Sequence, residues 1–517
     1  MRGRLVIALC ALAALAAGCG GNQSGGIGVS GEAGASLVRS GALAYVAVDS
    51  DLASSQWQKV DDLLHKFPGR DKWLAQLKRE LPDDISYDDD IAPALGPEVD
   101  IAIVAGPAAG DASVVALTKP DSIEKARALV RKLESKDDEP HATRLVDGWF
   151  VLSQSNDMID RVLKQGDGKS LAEDDTFKDA VAELPQDALA KAYVNGRQLA
   201  DLVTNYLNRG PQTTAAGGSA PFGLDQIEWI GASLVAKDEG VRFEADVKGT
   251  GGEAFTGSAK PYASKLISGV PADAFAFLTF GGGATVEQLR KVRDNPQLGP
   301  GFQQFEQLTG LQLDDLLELF AHEVAFYVRR GTGLPEFSLV LEAPETQKAL
   351  TTLDRVAARV AELMATKVRE DTRDGVTVKS LTIAGRVTVE WAGFDNRVLI
   401  TTAPTGIADY RAGGDKLGDD ATYKDALSSA GAPDKTGGLL YMNLRDGVQL
   451  VESYIGLSGE KIPADVRANL KPLYAFVAYS TQKDDVTEVT ATRVSRGLMV
   501  KEVEGWAGKL PLVAVNW

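Results

Sequence analysis

One stretch of this 517-residue chain occurs twice, and that limits the folds open to it. Leu171–Val203 contains Thr176-Phe177-Lys178-Asp179-Ala180, then Ala192-Tyr193-Val194-Asn195-Gly196-Arg197, then Leu202-Val203. Further along stand Leu417, Thr422-Tyr423-Lys424-Asp425-Ala426, Leu440-Tyr441-Met442-Asn443-Leu444-Arg445 and Leu450-Val451, with a slip of only two residues between the blocks. An internal repeat of this length points to one structural unit built twice.

The flanking sequence repeats in the same order. Ala42–Val48 reads as an opening strand by its β-branched and aromatic content, and Ala274–Leu278 matches it. Trp57, Val60, Leu64 and Phe67 fall at helical spacing behind Ser54 and Ser55, either of which can cap a helix. Asp147-Gly148 and Asp395-Asn396 mark equivalent hairpin turns. Ile227–Val235 with Val241–Val247, and Tyr474–Tyr479 with Val486–Ala491, read as closing hairpins. Strands interrupted by helices, with several hairpins and no regular β-α alternation, indicate α+β with mostly antiparallel sheet and helices packed on it. The expected layout is a first repeat over 38–248, a linker over 249–268, a second repeat over 269–495 and an extension over 496–517. Each repeat is long enough for its own core.

The first residues carry an address. Arg2 and Arg4 precede a short apolar run, Leu5–Ala17, too short to span a bilayer. Leu15-Ala16-Ala17-Gly18-Cys19 resembles a bacterial lipobox, with Ala16 where Leu is usual; the resemblance implies cleavage after residue 18 and diacylation of Cys19. The chain has two cysteines, and Cys10 lies in the removed segment, so the mature chain keeps no internal disulfide. Residues 19–37 then form a Gly- and Ser-rich tether with a reach of about 20 Å. The expected location is the extracytoplasmic side of a bacterial cell membrane, held through the lipid. A net charge of −17 argues against nucleic acid as a partner.

The repeat is similar to an uncharacterised family of bacterial proteins, a domain of unknown function frequent in actinobacterial lipoproteins. The resemblance lies in Gly41–Val48, in Trp57 with Phe67-Pro68-Gly69, and in the block from Asp90 to Val99. Its motifs are structural and imply no activity.

The candidate site residues are the polar ones present twice: Thr176, Lys178, Asp179, Tyr193, Asn195 and Arg197, with Thr422, Lys424, Asp425, Tyr441, Asn443 and Arg445. A structural role accounts for them better than a catalytic one. Asp175 or Thr176 would cap a helix, and Asn195 and Asn443 would cap the next, with Gln198 or Asp446 three residues on. His65, His141 and His322 have no counterparts between repeats, and His322-Glu323 lacks the second histidine of a zinc-protease motif. Gly281-Gly282-Gly283 lacks the Lys-Ser/Thr pair of a phosphate loop. No metal, cofactor or catalytic set is expected. The leading expectation is a non-enzymatic, lipid-anchored protein that binds or scaffolds an envelope partner. A carrier of lipid or another hydrophobic ligand is the alternative, and an enzyme of unrecognised class the third.

Overall fold

Alternation decides the architecture. In Ala44–Asp49 every second side chain is buried, as the two-residue period of a strand requires, and this strand (β1) lies between two antiparallel neighbours. In a computed structural model the described residues are 33–80, 84–106, 112–134, 141–164, 166, 168–207, 221–250, 260–293, 299–331, 334–457, 461–484 and 486–495. The signal segment, Cys19, residues 19–32 of the tether and the extension 496–517 lie outside them. The chain divides into two units. Unit 1 runs to Gly252 and takes in Ile462–Leu473; unit 2 comprises Glu253–Lys461 and Tyr474–Val494.

In unit 1, β1 is followed by β2 (Glu98–Ala105), β3 (Ala112–Thr118), β4 (Ala142–Val146), β5 (Trp149–Ser153), β6 (Ala190–Asn195), β7 (Ile227–Lys237) and β8 (Gly240–Gly249). Pairing is antiparallel throughout, in the spatial order β4-β5-β3-β2-β1-β6-β7-β8. The β4–β5 hairpin turns on Asp147 and Gly148, both at positive φ (49° and 83°), as a two-residue primed turn demands. Helices α1 (Ser55–Leu64), α2 (Arg70–Glu80), α3 (Ile123–Glu134), α4 (Asn156–Val162), α5 (Asp175–Glu183) and α6 (Gly196–Leu207) fill the connections. Ser54, not Ser55, caps α1, accepting from the Trp57 N–H.

Unit 2 contains β9 (Ala274–Gly281), β10 (Glu323–Arg329), β11 (Glu336–Glu342), β12 (Arg369–Arg373), β13 (Val376–Ile383), β14 (Val387–Phe394), β15 (Arg397–Thr401), β16 (Gly438–Asn443), β17 (Leu473–Lys483) and β18 (Val486–Ser495). Its spatial order is β12-β13-β14-β15-β11-β10-β9-β16-β17, again antiparallel. The run β14-β15-β11-β10-β9-β16-β17 has the same connectivity as β4-β5-β3-β2-β1-β6-β7; β12 and β13 are added outside it. The helices are α7 (Gly282–Arg293), α8 (Gly299–Thr309), α9 (Leu313–Glu318), α10 (Thr346–Leu363), α11 (Gly406–Arg411), α12 (Ala421–Ala430) and α13 (Leu444–Leu457); α14 (Ala464–Leu470) belongs with unit 1. The architecture is mixed α+β on antiparallel sheet.

The repeated block fixes each sheet. Tyr193 lies opposite Tyr45 across β6–β1, and Tyr441 opposite Phe277 across β16–β9. Phe177 on α5 meets Tyr193 edge-on at 5.2 Å and Tyr45 at 5.7 Å. Tyr423 on α12 meets Tyr441 edge-on at 5.0 Å. Such pairs contribute roughly 0.5–1.5 kcal/mol each beyond their burial. Just before each helix, a backbone bond ties the block to the segment leading into the first strand: Leu171 N–H donates to Val38 O at 2.7 Å, and Leu417 N–H to Val270 O at 2.9 Å. We expect Phe177→Ala to lower the opening free energy of β1 and β6 amides by about 3–5 kcal/mol in hydrogen exchange. Lys178→Ala, one residue on but exposed, should change it by less than about 0.5 kcal/mol; equal effects would mean that α5 is not held through Phe177.

Candidate functional site

The repeated polar residues are mostly consumed by local structure. Asp174, rather than Asp175 or Thr176, caps α5: its carboxylate accepts from Thr176 N–H at 3.0 Å and from the Ser40 hydroxyl at 2.8 Å. Asp420 does the same for α12. Asn195 accepts from Gln198 N–H at 3.0 Å, and Asn443 from Asp446 N–H at 3.1 Å. Tyr193 and Tyr441 are core. Lys178 and Lys424 are exposed and reach only local groups at the start of their own helices: Lys178 reaches Glu173 O and Asp175, and Lys424 reaches Asp419. Thr176 is half-buried within the first turn of α5, and Arg197 is exposed.

The remaining members are not brought into one shared geometry. In unit 1, Asp179 pairs with Lys248. In unit 2, the Arg445 guanidinium lies 5.1 Å over the Tyr474 ring. The Tyr474 hydroxyl neighbours Thr422 and Asp425, and burial followed by the Asp425 carboxylate pushes its pKa up. Register puts Glu228 where Tyr474 stands, since Asn195 pairs Trp229 and Asn443 pairs Ala475. Identical sequence therefore meets different surroundings.

A different feature does recur: one face of each central sheet. The face carrying Tyr45 and Tyr193, or Phe277, Tyr327 and Tyr441, is fully buried. The opposite face is also apolar, and it is only partly sealed: Val324, Leu341 and Val398 in unit 2, and Val99, Ala116 and Leu152 in unit 1, are buried, while other rows stay half-buried. In unit 1 the cross-strand row Ile103–Ala44–Val194–Ile230–Val247, and beside it Ile101–Val46–Ala192–Ala232–Ala245, have no member classed as buried. In unit 2 the row Ile400–Leu339–Phe326–Leu278–Leu440–Ala478 crosses six strands and is half-buried throughout. At about 4.8 Å per strand it spans roughly 24 Å. None of these rows contains a polar side chain. Among the described residues, α1 packs on Leu189 and Ala236 and α3 on Val99, Ala116 and Leu152 in unit 1, and α10 packs on Leu339, Leu341, Val398 and Ile400 in unit 2.

A cavity of about 30 Å³ beneath α3 is lined by Val99, Leu129, Phe150 and other apolar groups. A cleft of about 150 Å³ in unit 2 contains His322 with Asp315, Glu318, Glu342 and Lys348. Its acids are already engaged, by Arg355, Arg290 and Lys265 respectively. Gly282, in the triple-glycine stretch, is required by packing: a Cβ there would lie 1.7 Å from Phe320 O.

Sequence 125–492 matches a family described as a protein of unknown function, DUF3352. The chain belongs to this family. No curated protein matches the chain in sequence. Among solved structures, crystal form III of TP0453 is 10% identical, covering 48% of this chain and 86% of that one at a TM-score of 0.24; crystal form I is 11% identical, covering 48% and 85%, also at 0.24. Likeness at that level carries no argument. Family membership leaves function to the geometry.

Of the buried carboxylates, Asp49 and Asp100 in unit 1 have pKa values pushed up. Asp49, at the end of β1, accepts from the Ser54 hydroxyl at 2.5 Å and from Asp51 N–H at 2.9 Å. Burial outweighs these bonds and pushes its pKa up to about 7. Asp100, on β2, is fully buried beside Glu98 and the Tyr45 hydroxyl, without a well-formed hydrogen bond to either of its oxygens. Burial first, then the Glu98 charge, raises its pKa well above the usual range. A folded-state pKa above the unfolded value of about 3.9 means stability that is fully present below pH 4 and lost as pH rises through the folded pKa. Hydrogen exchange should therefore show β1 and β2 opening more readily at pH 8 than at pH 5.5. Asp49→Asn should flatten that slope, and an unchanged slope would assign the effect elsewhere.

Proposed function

We propose that this family member is a lipid-anchored, extracytoplasmic binding protein whose two units each offer an apolar sheet face to a hydrophobic ligand. The observation that supports this is the pair of half-buried aliphatic faces. Apolar sheet surface left partly accessible marks a binding site. The longest row matches an extended acyl chain in length. It contains no charge that a ligand's apolar part would have to desolvate. The absence of polar side chains from the rows fits non-covalent binding rather than chemistry.

The shared strand order, the aromatic docking of α5 and α12, and the repeated sequence support descent of both units from one duplicated domain. Two sites in one chain would hold a ligand with two chains, or a second ligand, at raised effective concentration. Scaffolding of an envelope protein is the second reading, and the same two-unit build motivates it.

Anchoring rests on Leu15–Cys19 and on the two acyl chains that a lipobox cysteine receives, since one chain alone binds a membrane only marginally. Replacing Cys19 with alanine should move the protein from the membrane fraction to the soluble one. Retention with an uncleaved leader would refute the anchor.

For the ligand, the purified chain should displace a fluorescent fatty-acid analogue into protein-bound form. Leu278→Asp combined with Ala192→Asp, at the centres of the two faces, should weaken that binding at least tenfold with unchanged circular dichroism. Unaltered affinity in the folded double variant would remove the faces from consideration and favour scaffolding.

A further inference from the structure

The end of α10 carries the most exposed large apolar side chain among the described residues, Leu363. Leu363 is 74% exposed and Met364 49%, with Val368 beyond them. The turn that holds them is well defined. Thr366 N–H donates to Ala361 O at 2.9 Å and Ala365 N–H to Glu362 O at 3.2 Å, with Ala365 at φ 49°. Left-handed backbone is unfavourable for alanine, so this turn is kept against a local cost. A second element ends beside it. Arg359, one turn before Leu363, donates through Nη2 to Leu308 O at 3.1 Å, which brings up the end of α8 with Leu308 at 66% exposure and Phe305 at 38%. Residues four apart share a helix face, so Leu363 follows Arg359 toward Leu308.

The charges at this tip are unlike those of the rest. The chain carries −17 overall. Here the acids are engaged: Glu362 by Arg359, Glu370 by Lys379, and Asp371 by Arg373. Lys367 and Arg369, which flank Val368, are exposed and have no ionic partner among the described residues.

We infer that this tip of unit 2 docks on an anionic phospholipid bilayer, with Leu308, Leu363 and Met364 entering the headgroup boundary and Lys367 and Arg369 meeting lipid phosphates. Three features favour a bilayer. The apolar groups project from a helix end and a turn rather than lining a groove. They are flexible aliphatics, suited to a fluid boundary. The uncommitted cations complement a negative surface and oppose the sign of the whole chain. This contact is separate from the sheet faces and does not need them to bind a ligand.

The test uses the chain without residues 1–18 and with Cys19→Ala, so that no acyl anchor contributes, in flotation with vesicles. Vesicles of phosphatidylglycerol and phosphatidylcholine should carry the protein up. Phosphatidylcholine alone should carry at least threefold less, and added salt should shrink the difference. Leu308→Glu with Leu363→Glu should cut partitioning at least tenfold; both sites are exposed, so the thermal midpoint should hold. Lys367→Glu with Arg369→Glu should abolish the preference for anionic vesicles. The inference is overturned if the wild-type chain stays at the bottom of the gradient, or if the leucine variant floats as well as wild type. It is equally overturned if the leucine variant merely converts a dimer to a monomer in sedimentation with no change in flotation. The fatty-acid displacement assay, run on the same leucine variant, should be unaffected.

Discussion

Everything in each unit hangs on one aromatic contact between a short helix and a pair of strands. Phe177 stands edge-on against Tyr193 and Tyr45, which face each other across β6 and β1; Tyr423 stands edge-on against Tyr441, opposite Phe277. The contact joins three segments far apart in sequence. It thereby chooses which face of the sheet is sealed. Once the aromatic face is closed by α5 or α12, the other face is left to the remaining helices, and α3 and α10 seal it only in part. The half-open apolar rows are the complement of the aromatic lock.

Much of this was readable from the chain. The opening strands and the hairpins at Asp147-Gly148 and Asp395-Asn396 follow from period and turn chemistry. The capping residue of α5 was missed by one position, because Asp174, Asp175 and Thr176 are all competent and the Ser40 hydroxyl and Gly41 N–H distinguish Asp174. Strands β12 and β13 escaped notice because Arg369–Arg373 is charged at four of five positions, the look of a loop. Exposure of the second sheet face was illegible for a physical reason. Ala44-Tyr45-Val46-Ala47-Val48 is apolar at every position, so alternation says that there are two faces and nothing about which is covered. Asp100 left a faint signal: a carboxylate two residues after Glu98 in an otherwise aliphatic strand.

The two units part company where β2 and β10 meet the segment leading into the sheet. In unit 2, the Glu323 carboxylate is saturated by Ser264, by Lys265 N–H at 2.9 Å and by Thr279 at 3.1 Å. In unit 1, Asp100 has taken up the buried place without such partners. It presses so closely on the chain that a Cβ at Gly34 would lie 2.0 Å from its Oδ2. One unit thus fastens its lead-in with satisfied hydrogen bonds. The other relies on a carboxyl whose pKa burial and the Glu98 charge hold well above the usual range. A similar divergence surrounds the repeated arginines, where Arg445 covers Tyr474 while the matching place beside Arg197 is Glu228.

Unit 1 does not end where unit 2 begins. Residues 462–473 return to it after most of unit 2 has been laid down, and Asn469 on α14 accepts from Gly69 N–H at 2.7 Å. On a ribosome the chain emerges in order. The first unit therefore waits, one helix short, while more than two hundred residues of the second are made. Its completion coincides with that of β17, so the two halves mature together, and scission anywhere between residues 253 and 461 would strand the closing helix on the wrong fragment.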